Sequence, residues 1–470
     1  MSNSSLQAAS APSSSAFYRA VWRWHFYAGL YVVPFLLMLA ITGLIMVYGN
    51  TIESRLGKRY AVASDGQTVS LQAQSQAATE SVPGGKLKMF IQPIDPTSAN
   101  VFVITADGKD HAVAVDPHNA RVLGQVIKDD TWYYWADYVH GSFFIGKASD
   151  GWGDHLIEVA AGLSIILVIT GLYMWWPRGS MTFARALIPD FSRSGRVLWK
   201  ELHVTAGVYI SVLLLFFLIS GLSWTGVWGG KIVQAWSTFP AEKWDNVPTS
   251  DKTHASMNHG ALKEVPWTLE QTPMPVSGSA AGAKGIDEAM PVNLDTVVAF
   301  ARSFGFNEQF RVNVPQDETG VYTVSADSMD ADTTSPTGDH TLHIDQYTGK
   351  ILADIRFADY PLGGKLMAVG IAFHEATMGW WNLALNTVYC LLIILMCVSG
   401  VVMWWKRRPA KQFGTPLYAK NYSVPVMVVG IGAVLCVIFP LSGIAIVAFA
   451  LIDFFLPKQL KQAGQQHKAI

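Results

Sequence analysis

Long apolar runs, separated by two polar stretches of roughly a hundred residues or more, dominate the hydropathy pattern of this chain. Each run reaches the length of about 20 residues that a helix needs to cross the hydrocarbon core of a bilayer. The pattern predicts four transmembrane spans, at residues 25–48, 155–176, 203–226 and 383–405. The first run is too long for a signal peptide and no small-residue cleavage site follows it, so we interpret it as an uncleaved span.

Basic residues in two short loops predict the orientation of the spans. The loops at 177–202 and 406–422 each contain five Lys and Arg residues, against two acidic residues in the first loop and none in the second. By the positive-inside rule both loops are cytoplasmic. The N-terminal tail at 1–24 is then cytoplasmic as well, and we expect it to be disordered. The long segments at 49–150 and 227–378 are predicted to be external.

The last apolar run, at 423–456, supports two interpretations. It is long for one helix and short for two, and Pro440 lies near its middle. A single kinked span is one possibility, because proline interrupts the helical hydrogen bonds. A short hairpin is the other. The basic tail at 457–470 favours the hairpin, because the tail would then return to the cytoplasm.

Two halves of the chain carry the same motifs at the same spacing. Residues 24–46 (WHFYAGLYVVPFLLMLAITGLIM) and 202–224 (LHVTAGVYISVLLLFFLISGLSW) share His-x-x-Ala-Gly and, farther on, Ile-Thr/Ser-Gly-Leu. A second pair of motifs, ITGLYMWWPR at 169–178 and VSGVVMWWKRR at 398–408, ends the second span of each half. The sequence therefore predicts a parallel internal repeat, whose pseudo-twofold axis runs along the membrane normal.

The external segments also contain matching pieces. Residues 113–126 and 342–355 each have the pattern of a strand, a turn around an aspartate and another strand, with alternating side-chain character along the strands. Each half is thus predicted to consist of a span, an external α+β domain and a second span. The predicted fold class is an α-helical polytopic membrane protein with two external α+β domains.

Histidines recur at the ends of the spans. His25 and His203 occupy the same repeat position near the cytoplasm, each with Ala and Gly at i+3 and i+4 on the same helical face, which leaves room for a flat macrocycle. His140 and His374 precede the second spans on the opposite side. Twofold symmetry pairs His25 with His203 and His140 with His374, which predicts bis-histidine ligation of two stacked haems. Helix packing through the small residues alone is the competing interpretation.

Composition and cysteine content limit the other possibilities. The chain is 50% hydrophobic and 15% charged, with a net charge of −1, and has no basic arm suited to nucleic acid. Its three cysteines lie inside apolar runs, so we expect them to be buried packing residues. No Cys-x-x-Cys-His motif is present for covalent haem attachment. The segment HASMNH at 254–259 could contact a metal, but a solvated linker is the expectation there.

These motifs resemble the PepSY-associated transmembrane-helix family of bacterial inner-membrane proteins. The resemblance extends from residue 22 to residue 456 and is most specific at 153–178, 201–229 and 266–275. It implies PepSY-like external domains, location in the bacterial inner (cytoplasmic) membrane with the large domains periplasmic, and iron-regulated expression. In the branch of the family that has been given a function, it implies a ferric-siderophore reductase with two b-type haems.

The family's span-linked histidines match four residues of this sequence, namely His25, His140, His203 and His374. One departure concerns residues 147–152, which make the stretch between His140 and the second span longer than in the other half. This leaves His155 as an alternative partner of His374. Ala384 occupies the place of His155 in the second half, so we expect His155 to modify or contact the cofactor rather than to ligate iron.

The leading hypothesis is a haem-dependent membrane oxidoreductase that passes electrons to an external ferric siderophore or other ferric chelate. No nucleotide-binding loop or flavin fold is recognisable, so electrons would come from a separate, unidentified donor. Two alternatives stay open: a non-redox accessory protein whose external domains bind peptide, and a transport component that carries a chelate inward. Transport is the weaker alternative, because the span centres lack Asp, Glu, Lys and Arg.

Overall fold

A computed structural model describes most of the chain. The described residues are 14–53, 60–63, 66–93, 95–146, 151–177, 182–234, 246–258, 264–408 and 424–455. Several features of the sequence analysis lie wholly or partly outside them, among them residues 1–13 of the N-terminal tail, residues 178–181 of the loop at 177–202, the tail at 457–470, most of the loop at 406–422, part of the longer stretch at 147–152, and His259.

The described residues form helices of widely different length. The helices are α1 (Ser14–Glu53), α2 (Leu71–Glu80), α3 (Trp132–Ser142), α4 (Trp152–Trp175), α5 (Phe183–Ala186), α6 (Gly195–Leu222), α7 (Leu294–Ser303), α8 (Leu362–His374), α9 (Trp380–Arg407), α10 (Val426–Ile438) and α11 (Pro440–Phe455). Within the described ranges, α1, α4, α6 and α9 are the four helices long and apolar enough to cross a membrane. They correspond to the four predicted spans.

The bounds of two spans differ from the prediction. Helix α1 begins at Ser14, inside the tail predicted to be disordered at 1–24, and α6 begins at Gly195, inside the loop predicted at 177–202. Both helices start before their apolar windows because the i to i−4 hydrogen bonds of a helix do not depend on apolar side chains. A π-helix, Gly226–Val233, follows α6 closely.

The last apolar run forms two helices, α10 and α11, interrupted at Phe439. Pro440 is the first residue of α11, where its missing N–H costs no helical hydrogen bond. Gly443 lies so close to Cys436 of α10 that a Cβ at this position would come within 2.7 Å of the Cys436 carbonyl oxygen. Both helices are shorter than the four spans.

The chain divides into two compact units. The membrane unit comprises Met1–Ala40, Trp152–Trp228 and Tyr389–Ile470, and the sheet unit comprises Ile41–Gly151 and Gly229–Val388.

Aromatic and small residues pack the helices of the membrane unit. The ring of Phe217 on α6 stacks on that of Tyr389 on α9, with 4.2 Å between centroids and 11° between planes. Gly162 of α4 lies directly against the hydroxyl of Ser442 on α11, where no larger residue would fit. Small residues at such crossings allow close approach, which is the main source of helix association in a bilayer.

An eight-stranded antiparallel sheet dominates the sheet unit. Its strands are β1 (Lys86–Gln92), β2 (Asn100–Ala106), β3 (Lys109–Val115), β4 (Val122–Ile127), β7 (Phe310–Asn313), β8 (Val321–Ala326), β9 (His340–Asp345) and β10 (Ile351–Arg356). Their spatial order is β10-β9-β8-β7-β1-β2-β3-β4. Two further strands, β5 (Thr249–Thr253) and β6 (Pro273–Pro275), pair with each other.

One continuous sheet contains strands of both external segments that the sequence analysis predicted to be α+β domains. Strands β1 to β4 come from the first external segment and β7 to β10 from the second, and the segments join where β1 pairs with β7, with Phe90 opposite Val312. Each four-stranded half would otherwise expose the N–H and C=O groups of an edge strand. Pairing the two edges satisfies those groups.

Two capped helices accompany the sheet and share its apolar core. Asp295, in the first turn of α7, accepts hydrogen bonds from the backbone N–H groups of Leu71 (2.6 Å) and Gln72 (3.1 Å) at the start of α2. The carboxylate therefore stabilises two helix N-termini, where negative charge is favoured. Phe90, Phe102 and other fully buried apolar residues fill the core.

Candidate functional site

His25 lies in α1 with one ring nitrogen already engaged. Its Nδ1 is 2.9 Å from the hydroxyl of Thr170 on α4. That hydroxyl donates a hydrogen bond to the carbonyl of Ile166 (2.7 Å), so it accepts a hydrogen bond from the Nδ1–H of His25. The imidazole is thereby fixed in the Nδ1–H tautomer. Its Nε2 atom carries the lone pair that a neutral histidine uses to bind a metal.

His203 has the corresponding arrangement in α6. Its Nδ1 is 2.9 Å from the hydroxyl of Ser399 and 3.2 Å from the carbonyl of Met396, both on α9. The Ser399 hydroxyl donates to the same carbonyl (2.9 Å), so Nδ1 of His203 is again the donor. Each histidine is therefore oriented by a hydroxyl-bearing residue on the second span of its own half.

Glycines make room for these two rings. Gly171 follows Thr170, and a Cβ on Gly171 would lie 3.4 Å from Cε1 of His25. Gly400 follows Ser399, and a Cβ there would lie 3.7 Å from Cε1 of His203. The two imidazoles are close enough to each other to interact electrostatically. The membrane unit thus brings together the pair that the repeat predicts.

His140 and His374 form the second pair, in the sheet unit. Nδ1 of His140, on α3, is 2.8 Å from the hydroxyl of Thr42 on α1. His374 ends α8, whose last carbonyls accept hydrogen bonds from Asn386 of α9, at 2.8 Å for Phe373 and 3.0 Å for His374. Buried amides of α9 therefore hold the end of α8, and with it the backbone of His374.

Both rings of the second pair are uncharged at neutral pH. Burial lowers the pKa of His140 to about 4, and burial together with repulsion from His140 lowers the pKa of His374 to about 3. The rings nevertheless keep some accessible surface. Neutral imidazoles that are surrounded by protein but not fully covered have the protonation state that metal ligation requires.

The orienting hydroxyls belong to a motif that the sequence analysis used only as a marker of the repeat. Thr42, Thr170 and Ser399 each precede a glycine, and Ser220 has the same position in the remaining copy of the motif. A hydroxyl-bearing residue followed by glycine recurs at all four places, and this recurrence could have identified the residues that orient the histidines. It was missed because a threonine or serine in a span is usually a helix-packing residue.

His155 has different surroundings. It lies in the first turns of α4 and packs edge-on against the ring of Trp152, with 6.0 Å between centroids. The neighbouring acids support the π-helix: Asp154 accepts a hydrogen bond from the N–H of Gly226 (2.8 Å), and Glu158 accepts one from the N–H of Trp228 (3.1 Å). Within the sheet unit, the histidine that interacts electrostatically with His374 is His140.

A buried histidine pair corrects the expectation of a solvated linker at 254–259. His254 is completely buried, and its Nδ1 donates to the carbonyl of Thr272 at 2.7 Å. Its Nε2 therefore accepts a hydrogen bond from the Nε2–H of His343 on β9, 3.0 Å away. Nδ1 of His343 in turn accepts a hydrogen bond from the hydroxyl of Thr323 (3.0 Å). One proton per ring satisfies the whole chain of hydrogen bonds.

Acid is expected to destabilise the sheet unit through this pair. Burial lowers the pKa of His254 to about 4, from 6.5 for an ordinary histidine, and the pKa of His343 falls well below 6.5. The unfolded chain binds protons first, so the stabilisation is complete above pH 6.5 and is lost as the pH falls towards 4. The loss is about 3 kcal/mol for His254 alone. Melting temperatures measured across this pH range should fall accordingly.

A double variant, His254→Gln with His343→Gln, separates this effect from the titration of other groups. Its melting temperature should depend less steeply on pH than that of the wild type between pH 6.5 and 4. The same pH dependence in both proteins would show that the pair is not the acid-sensitive element.

One protein family matches the chain. The model of this family, described as the PepSY-associated TM region, matches residues 22–407. The matched range contains the eight-stranded sheet and all four histidines of the two pairs. No curated protein matches the chain. Because the family model covers most of the sequence, the chain belongs to the PepSY-associated TM region family.

Proposed function

We propose that this protein is a dihaem b-type oxidoreductase of the bacterial inner membrane, which passes electrons across the membrane to a periplasmic ferric siderophore or other ferric chelate and releases Fe(II). The observation that supports it best is the matched environment of His25 and His203. In both, a hydroxyl on a neighbouring helix orients Nδ1 and leaves the lone pair on Nε2. Histidines that ligate a metal commonly donate their other N–H in this way.

The residues present fit b-type haem at both pairs. His25 and His203 would hold one haem through their Nε2 atoms, and Nε2 of His140 and a ring nitrogen of His374 would hold the other. Gly171 and Gly400 keep the space beside the first two rings open, where a Cβ would lie within 3.4 Å and 3.7 Å of Cε1. Haem held by two histidines supplies one-electron transfer at its iron. No cysteine pair is needed for such non-covalent binding.

The length of α1 between His25 and Thr42 is close to the thickness of a bilayer. Thr42, which orients His140, lies about 25 Å beyond His25 along α1, at about 1.5 Å per residue. The hydrocarbon core is about 30 Å thick. By the positive-inside rule, the basic loops favour a cytoplasmic His25 end and a periplasmic sheet unit. An unidentified electron donor would then act at the cytoplasmic end.

Exposed tryptophans offer a contact surface for a bulky acceptor. Trp132 on α3 is 66% exposed and Trp380 on α9 is 81% exposed, and Trp132 packs edge-on against Trp135 at 5.6 Å. Each of these residues lies on, or close in sequence to, the helices that carry His140 and His374. A ferric siderophore could accept an electron here without entering the membrane. Iron would leave once reduced, because Fe(II) suits hard oxygen ligands less well than Fe(III).

Anaerobic mixing of the dithionite-reduced, desalted protein with a ferric hydroxamate tests this proposal. We expect the spectrum to return to the oxidised form, with ferrozine trapping one Fe(II) for each electron lost. Protein freed of cofactor is the control and should produce no Fe(II). A reduced spectrum that no ferric chelate changes would exclude the reductase function.

A further inference from the structure

A thirteen-residue connection in the second half of the sheet has no counterpart in the first half. Strands β8 and β9 are joined by residues 327–339, whereas β2 and β3 are joined by Asp107 and Gly108 alone. The longer connection begins with the sequence Asp-Ser-Met-Asp-Ala-Asp. Carboxylate oxygens of Asp327, Asp330 and Asp332 lie within 4.8 Å of one another.

Negative charge is in excess around this connection. Arg311 of β7 pairs with Asp330 at 3.0 Å and with Asp332 at 3.1 Å. Asp327 and Asp339 are also buried beside it, at 1% and 4% exposure. The nearby buried Lys128 is paired with Glu264 at 2.7 Å. Arg311 therefore interacts electrostatically with Asp327, Asp330 and Asp332 and also with Glu264, so that carboxyl groups outnumber cations among these described residues. Buried charge without compensation is costly.

Asp327 has a buried carboxylate oxygen without a hydrogen-bond partner among the described residues. Its Oδ1 accepts the backbone N–H of Asp330 at 2.8 Å, which fixes the side chain in place. Its Oδ2 is buried and has no hydrogen-bond partner among the described residues. A carboxylate oxygen in that position costs free energy unless a proton or a cation compensates it.

A second buried polar atom, from outside the acidic cluster, lies at the same place. Tyr360 is 2% exposed, and its hydroxyl has no hydrogen-bond partner among the residues that the structure describes. This hydroxyl is close enough to Asp339 and Asp327 to interact with both electrostatically. Together with Trp267, these three residues line a cavity of about 10 Å³. That volume admits about one water molecule, which needs polar partners of this kind.

We propose that Asp327, Asp330 and Asp332 bind a Ca²⁺ ion, with a water molecule in the adjoining cavity linking Asp327, Asp339 and Tyr360. Calcium accepts six to eight oxygen ligands in irregular geometry, including several carboxylates and water. The ion would compensate the charge of these carboxylates and hold together the start of the connection at 327–339, where Asp330 and Asp332 also pair with Arg311 of the sheet. The proposed calcium site does not rest on the proposed function.

Terbium luminescence in the detergent-solubilised full chain tests the site. Tb³⁺ replaces Ca²⁺ and emits when a nearby tryptophan is excited, and Trp267 lines the cavity. After treatment with EDTA, the wild type should show saturable Tb³⁺ emission that Ca²⁺ displaces, and Ca²⁺ should raise the melting temperature. Trp267→Phe should lose most of the emission but keep the rise in melting temperature.

Asparagine variants identify the ligands. Asp327→Asn keeps the oxygen that caps the Asp330 N–H but removes the charge, so both the emission and the Ca²⁺ effect should be lost. Asp330→Asn is the second variant, in case the first does not fold. Asp107→Asn, in the short turn of the first half, is the matched control and should behave as the wild type. A wild type without saturable emission and without a Ca²⁺ effect, or an equal response in the Asp327 and Asp330 variants, would overturn the proposal.

Discussion

His25→Ala and His203→Ala are each expected to remove the same haem, which lowers the haem content from two groups per chain to one. The two imidazoles lie within electrostatic reach of each other in the membrane unit, and a haem held by both would keep a single histidine after either substitution. The pyridine haemochrome assay measures the content, and the spectrum of the remaining haem should be the same in the two variants.

A conservative variant of an orienting residue separates ligation from folding. Thr170→Val keeps the shape of the side chain but removes the hydroxyl that accepts the His25 Nδ1–H. We expect both haems to be retained, with a changed midpoint potential for the haem held by His25 and His203, since such contacts adjust the basicity of the ligand. Full haem content and an unchanged spectrum in His25→Ala or in His203→Ala would disprove the pairing.

His140→Ala and His374→Ala are expected to remove the other haem and to abolish reduction of the ferric hydroxamate. The haem held by His25 and His203 should remain reducible in both variants, because its ligands belong to the membrane unit. Haem content and ferrozine-trapped Fe(II), measured on the same preparations, check the two effects.

His155→Ala is the matched control for these two variants. Its ring packs on Trp152, and we expect the variant to keep both haems and most of its activity. The loss of one haem in His155→Ala, with full retention in His140→Ala, would reverse the assignment of the ligand.

The four spans could be predicted from the sequence because each consists of a long apolar segment with few charges. The exact bounds of the spans could not be predicted from the sequence. The first turns of α1 contain Arg19 and Arg23, and no change in hydropathy there indicates where the helix begins. A polar turn at the membrane surface is stable once the apolar part of the helix has formed, since propagation costs much less than nucleation.

The sequence pattern did not predict that the two external segments form one continuous sheet. Alternation predicted the hairpins β3–β4 and β9–β10 around Asp116 and Asp345, and the structure confirms both. The contact between β1 and β7 joins strands that are far apart in the sequence. Nothing in the alternation of either strand identifies its neighbour, because any apolar edge strand can pair with another.

The histidines illustrate the same limit at the level of single residues. Repeated positions were enough to predict that His25 lies near His203 and that His140 lies near His374. His254 had no repeat partner and lay in a polar segment, so its burial against His343 could not be foreseen. Its tautomer depends on Thr272 and Thr323, which lie on other parts of the chain.

The absorption spectrum of the purified full-length protein tests the central claim most directly. The protein should be expressed with an adequate haem supply and kept in mild detergent. We predict a Soret band that shifts when dithionite is added, and a pyridine haemochrome that gives two b-type haems per chain. A folded but colourless protein, without haem in the pyridine assay, would contradict the claim and would leave a non-redox role for this family member.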